Sequence, residues 1–137
     1  MSPSREARRR AGQDALADIG RYRQTVPLAR LLADRDEQRK VLHALLVAVQ
    51  ACVDEALAEC RARGLSGGST YRGAFEALGQ AGAIPAQWLP GLLEWASFRN
   101  VLAHFYPVLD LRRVHGALSE TEVLERFLAW CSRDTPT

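Results

Sequence analysis

The fold class is decided by residues 41–57, which read VLHALLVAVQACVDEAL. The apolar side chains that recur there at helical spacing are Val41, Leu42, Leu45, Leu46, Val49, Cys52, Val53, Ala56 and Leu57. They form a broad band on the helix surface rather than one narrow stripe. A helix with so wide an apolar face must pack against more than one neighbour. The stretch therefore predicts the central helix of an all-α bundle.

The central helix has recognisable ends in the sequence. Asp34 or Asp36 marks its start, because the helix macrodipole favours negative charge in the first turn. Its end is marked by Arg61 and Arg63 in the last turn and by Gly64 as the C-terminal cap. We therefore predict that the central helix runs from Asp34 or Asp36 to about Arg63 and is the longest helix in the chain.

Further helices are predicted at about residues 4–23, 71–80 and 91–106, and from residue 111 to the C-terminal end. In the last of these the apolar stripe keeps its phase, so we expect one continuous helix, although Ser119 and Glu122 have the spacing of a capping box. No segment alternates as a strand does. We expect one all-α domain over residues 1–137, an up-and-down bundle of about five helices.

The composition is that of an ordinary folded chain, with 47% hydrophobic and 25% charged residues. A net charge of +2 does not by itself argue for nucleic acid. Cys52, Cys60 and Cys131 are widely spaced and form neither a disulfide framework nor a CxxC metal site. These features fit a reducing compartment, and we expect a cytoplasmic protein.

Neither a secretion signal nor a membrane span is expected. The N-terminal arginines, of which Arg5 is the first, are not followed by an apolar run. The longest apolar stretch, residues 41–53, contains His43 and Gln50 and is too short to cross a bilayer. The N-terminal arginines could contact phosphates, but a solvated helix start is the more common arrangement and is what we expect.

Polar side chains suited to chemistry are concentrated in residues 98–106, FRNVLAHFY, at the end of an apolar helix that Pro107 stops. The segment carries Arg99, Asn100, His104 and Tyr106. Between residues 95 and 109 there is no Asp or Glu, and an arginine is costly to bury without an anionic partner. This lack of a local counter-charge indicates an anionic ligand such as a phosphate.

The spacing of these residues limits how they can act together. Asn100 and His104 are four apart and share a helix face, whereas Arg99 and Tyr106 share another edge. Arg99 and His104 lie about 140° apart at roughly 100° per residue. They can reach one small ligand only if the helix distorts or a symmetry mate supplies a second copy. A lone histidine is more often an ordinary core or surface residue, and that alternative stays open here.

Two carboxylates, Asp54 and Glu55, interrupt the apolar band of the central helix. We expect both to face solvent, and Asp54 is also a candidate for a supporting polar role near Arg99. His43 and His115 have no partner at a metal-ligand spacing, so we expect no metal site and no cofactor.

The pattern Arg-x4-His-x-Tyr, with Asn100 directly after Arg99, resembles the signature of HEPN domains and most closely that of the HepT toxin subfamily. The resemblance extends over most of the chain, through residues 38–54, 69–71, 75–78, 82–85 and 108–110. It implies a homodimeric HEPN-like bundle. It also implies a metal-independent endoribonuclease, the toxin of a toxin–antitoxin pair whose antitoxin is a minimal nucleotidyltransferase. The expected partners are thus RNA, the antitoxin and a second copy, with neither membrane nor DNA.

The resemblance also implies roles for the motif residues. His104 would act as general base or acid at the RNA 2′-hydroxyl and the leaving oxygen, and Arg99 would hold the scissile phosphate. Asn100 would orient the phosphate or His104, and Tyr106 would be the tyrosine that the antitoxin modifies with AMP. An alternative stays open, since HEPN domains also serve as non-catalytic partner-binding or nucleotide-binding subunits of nucleotidyltransferases.

Overall fold

A computed structural model describes residues 3–67, 70–104 and 109–133. All of the regular secondary structure in these residues is helical. In these residues the α-helices are α1 (Pro3–Thr25), α2 (Leu28–Ala33), α3 (Arg35–Arg63), α4 (Tyr71–Gln80), α5 (Leu89–His104), α6 (Leu111–Ala117) and α7 (Glu122–Cys131). A short 3-10 helix, Ala86–Trp88, precedes α5. The described residues contain no strand, so the predicted all-α class is confirmed.

Helix α3 is the central helix that its broad apolar band predicts. It packs against α1, α2, α4, α5 and α7. Asp34 caps its start by accepting hydrogen bonds from the backbone N–H groups of Asp36 and Glu37 at 2.8 and 3.3 Å. Gly64 caps its end with a φ of 66°, a left-handed conformation that favours glycine.

Helix α3 is also long and apolar enough, by composition, to cross a membrane. However, 67% of its most apolar 18-residue window is buried inside the bundle. Helix α1 packs especially close to α3 at Gly12. A Cβ added at Gly12 would come within 2.6 Å of the Ala51 Cβ, so no larger residue fits there without a shift. The apolar surface of α3 is therefore covered by the other helices of this domain, as expected for a core helix.

The prediction of about five helices was wrong, because the described residues form seven α-helices. Residues 28–33 are a helix of their own, which lies outside the predicted helices. The C-terminal stripe, expected to be one helix, is divided into α6 and α7. Helix α7 begins after Thr121, whose side chain makes no capping bond. The start of α7 is therefore not capped by Ser119, although Ser119 and Glu122 have the spacing of a capping box.

The break between α6 and α7 is held by side chains from other helices. Arg23 of α1 donates from Nε to the Leu118 carbonyl at 2.8 Å and from Nη2 to the Thr121 hydroxyl at 3.1 Å. Trp95 of α5 donates to the Glu120 carbonyl at 3.0 Å. A helix end leaves carbonyls without intrahelical partners. Arg23 satisfies the carbonyl of Leu118, the C-terminal cap of α6, and Trp95 satisfies that of Glu120 in the turn that follows. These bonds stabilise the interruption.

Arg5, Arg8 and Arg9 are not solvated, and Glu55 does not face solvent, so the predictions for these residues were wrong. Arg10 is exposed, as predicted. The Glu55 side chain is fully buried and accepts hydrogen bonds from Arg5 at 3.1 Å, Arg8 at 3.2 Å and Arg9 at 2.9 Å. Burial alone would raise the pKa of Glu55, but the hydrogen bonds from Arg9, Arg5 and Arg8 hold this pKa below its usual value. We call these four residues the Glu55 cluster. It joins α1 to α3, because a buried carboxylate needs cationic partners.

Candidate active site

Helix α5 carries the candidate residues, and its apolar side anchors it to the bundle. The residues buried on that side are Leu92, Trp95, Ala96, Phe98 and Leu102. The opposite side leaves Ser97, Asn100 and His104 exposed. The exposed polar groups are therefore presented by a helix whose position is set by the core.

Arg99 lies half-buried at the junction of α5 with α3 and α4. Its Nε donates to the Gln50 side-chain oxygen at 2.8 Å, and Gln50 in turn donates to Asp54 at 2.9 Å. The guanidinium carbon lies 4.9 Å from the centroid of the Tyr71 ring, which is a cation–π distance. A longer contact of 3.4 Å joins Nη1 to the Asn100 side-chain oxygen. Arg99 is thus held in one orientation from three sides.

The electrostatic setting of Arg99 is unusual for a half-buried arginine. Within the described ranges, no carboxylate oxygen lies within ion-pair distance of its guanidinium. Its partners Gln50, Tyr71 and Asn100 are neutral, so its positive charge is not compensated by them. Such a guanidinium is suited to bind an anion such as a phosphate.

His104 is the last residue of α5, and its side chain is exposed. It lies on the face of Asn100, whereas Arg99 is turned towards α3 and α4. One chain therefore brings Arg99 together with Asn100 but places Arg99 and His104 on different sides of the helix. Tyr106 lies outside the described residues.

Asp54 is half-buried and reaches Arg99 only through Gln50. Its supporting role stays a prediction. Asp54 accepts a hydrogen bond from Gln50, which in turn accepts one from Arg99. Sequence reasoning missed Gln50 and Tyr71. The available indication for Gln50 was a polar side chain in the middle of the apolar band, one helical turn before Asp54. Tyr71 had no comparable indication, because an aromatic residue at a helix start is common.

Metal-ligating side chains do not cluster in the part of the chain that the structure describes. No three His, Cys, Asp or Glu side chains come together there as a metal ion would require. The three cysteines are buried and not bonded to one another. Burial raises the pKa of the Cys52 thiol well above its usual range.

Comparison with known proteins shows which family the chain resembles. A protein-family model described as "Ribonuclease HepT-like" matches residues 13–129, which include α5 and the motif positions. A search of curated proteins found no match.

Proposed function

Because the chain belongs to the HepT-like ribonuclease family, we propose that it is the toxin of a toxin–antitoxin pair. In this proposal it cuts RNA with Arg99, Asn100 and His104 and without a metal ion. The observation that carries the proposal is the guanidinium of Arg99. It is fixed by Gln50 at 2.8 Å and by the Tyr71 ring, with no carboxylate within ion-pair distance in the described residues.

The proposed reaction is transfer of the phosphodiester to the neighbouring 2′-oxygen. His104 takes the proton of the 2′-hydroxyl, the 2′-oxygen forms a bond to phosphorus, and the bond from phosphorus to the 5′-oxygen breaks. The 5′-oxygen takes up a proton from a protonated histidine. The products are a 2′,3′-cyclic phosphate and a 5′-hydroxyl end. Arg99 stabilises the negative charge that develops on the non-bridging phosphate oxygens.

A homodimer is part of the proposal. Arg99 and His104 of one chain lie on different sides of α5, about 140° apart at the roughly 100° per residue of an ideal helix. Two α5 helices meeting at a two-fold axis would line one cleft with both residue types. One histidine could then act as base while the other acts as acid. This arrangement is supported by the geometry of the single chain, in which the two side chains do not converge.

Neutralisation by a minimal nucleotidyltransferase antitoxin is the regulatory part of the proposal. In this step the Tyr106 oxygen would lose its proton and attack the α-phosphorus of ATP, and pyrophosphate would leave. The AMP group would place a bulky negative charge two residues after His104. Negative charge beside Arg99 would compete with the RNA phosphate and repel it. The proposal also places the protein in the cytoplasm, where RNA and antitoxin are both present.

Growth arrest is the test of the proposed function. Induced expression of the wild type should arrest growth, and either His104→Ala or co-expression of the antitoxin should relieve it. His43→Ala is a matched control, because His43 is an exposed histidine on α3 outside the motif. Soluble wild type that neither arrests growth nor cuts RNA would contradict the toxin and favour the non-catalytic binding subunit.

Gln50 is expected to act as a positioning residue for Arg99. Gln50→Leu removes the acceptor of the 2.8 Å bond from Arg99, a charged hydrogen bond worth about 1.5–3 kcal/mol. If half of that acts in the transition state, kcat for RNA cleavage should fall by a factor of about 4–13. Gln50→Glu keeps the acceptor but adds a carboxylate that compensates the charge of Arg99, so it should lower kcat as well. An unchanged kcat in folded Gln50→Leu, with exposed Gln13→Leu as control, would contradict this role.

A further inference from the structure

Nine of the 17 arginines form ion pairs with carboxylates in the described part of the chain: Arg5, Arg8, Arg9, Arg21, Arg30, Arg39, Arg63, Arg126 and Arg133. The other eight form none there, and three of these eight, Arg72, Arg99 and Arg113, contact α5. Three cations without an ion-pair partner in the described residues therefore lie against the helix that carries His104.

Arg72 and Arg113 are each held against α5 by neutral groups. Arg72 of α4 donates from Nη1 to the Ser97 hydroxyl at 3.1 Å and to the Leu93 carbonyl at 3.4 Å. The guanidinium of Arg113 of α6 lies over the Phe98 ring, 4.6 Å from its centroid. Both residues are exposed. Each guanidinium has five N–H groups, so donors remain for a ligand.

The two arginines border an open groove of about 540 Å³ whose floor includes Leu93 and Ser97 of α5. Residues three and four apart share a helix face, so Asn100 and then His104 follow Ser97 on the same face of α5. The groove thus leads along α5 towards the candidate general base.

Two carboxylates, Glu94 and Glu120, line the same groove. Neither forms an ion pair with Arg72 or Arg113. The Glu120 carbonyl accepts a hydrogen bond from Trp95, whereas Arg113 stacks on Phe98, about one turn closer to His104 along α5. Within the part of the chain that the structure describes, both guanidinium charges of the groove are therefore uncompensated by ion pairs.

We infer that this groove, bordered by Arg72, Ser97 and Arg113, binds the backbone of a single-stranded RNA at a phosphate next to the scissile one. Ser97 and His104 are seven residues apart, or roughly 10 Å along the helix. This separation requires a phosphate distinct from the one at which His104 acts. Arginines already held by Ser97 and Phe98 lose little side-chain entropy on binding. The inference rests on the proposed ribonuclease function.

The salt dependence of RNA binding tests the groove. Binding of a single-stranded RNA oligonucleotide is measured in the His104→Ala background, in which cleavage should be slowed by about 10²–10⁴. Neutralising one phosphate contact should reduce the slope of log K against log salt by about 0.7. We expect this reduction for Arg72→Gln and for Arg113→Gln, and no change for Arg126→Gln, whose exposed side chain pairs with Glu122 on α7.

Lysine variants separate charge from misfolding. Arg72→Lys and Arg113→Lys keep the positive charge and should retain most of the slope. Thermal unfolding shows whether both glutamine variants are folded. If they are, and if both bind RNA with the same slope of log K against log salt as their His104→Ala parent, the proposed RNA-binding groove is wrong.

Cleavage by the otherwise wild-type chain is measured in parallel, so that the two failures can be told apart. Cleavage with unchanged slopes would support the ribonuclease function and contradict the RNA-binding groove. Reduced slopes without cleavage would support the RNA-binding groove and contradict the catalytic proposal.

Discussion

His104→Ala is expected to lower kcat for RNA cleavage by about 10²–10⁴, the usual contribution of a positioned general acid or base. The same change should leave the melting temperature nearly unaltered. The His104 side chain is exposed at the end of α5, and substitutions at such positions usually change stability by about 0.5 kcal/mol or less. Loss of activity without loss of fold would assign the residue to the chemistry.

Arg99→Ala should reduce cleavage by a comparable factor, about 10²–10³, because it removes the cation that stabilises the phosphate. Arg99→Lys keeps the charge but loses the planar fork that Gln50 and Tyr71 hold, so it should recover only part of the activity. Both measurements use a fluorescent RNA cleavage assay, with His43→Ala as the matched histidine control. Wild-type rates in His104→Ala would overturn the catalytic assignment.

Glu55→Gln is expected to be the most destabilising conservative substitution in the bundle. It leaves the shape of the side chain but removes the negative charge that Arg5, Arg8 and Arg9 share. Breaking a buried ion pair in this way costs about 3–5 kcal/mol. The melting temperature should fall by about 10 °C or more. The control is Glu122→Gln, which breaks an exposed pair with Arg126 and should cost about 1 kcal/mol or less.

The same cluster predicts how stability depends on pH. The pKa of Glu55 is lower in the folded chain than its usual value of 4.5, despite burial, because the three arginines favour the carboxylate. The unfolded chain therefore binds more protons between the two pKa values, and the free energy of unfolding rises with pH there. The contribution of Glu55 is complete above pH 4.5 and is lost as the pH falls through the lowered value.

Urea unfolding of wild type and Glu55→Gln at a series of acidic pH values measures this contribution. The difference between the two chains should be largest above pH 4.5 and shrink as the solution becomes more acidic. A difference that stays constant with pH would show that packing, rather than charge, accounts for the loss of stability.

Local patterns in the sequence determined the helical class, the central position of α3 and its ends. These patterns are the apolar periodicity of α3, the N-terminal cap at Asp34 and the C-terminal cap at Gly64. Each depends on residues that are close together in the sequence, so each can be recognised from the sequence alone. The candidates Arg99, Asn100 and His104 could also be identified from the sequence, because they lie close together along one helix.

Only the tertiary structure decided which charges are compensated and where the last helix breaks. Glu55 was expected in solvent because its partners are 46 to 50 residues away in the sequence. The break before α7 depends on Arg23, a donor 95 residues distant from the Leu118 carbonyl. Gln50 was missed beside Arg99 for the same reason. Burying a polar group is favourable only with a partner, and folding chooses that partner by bringing distant segments together.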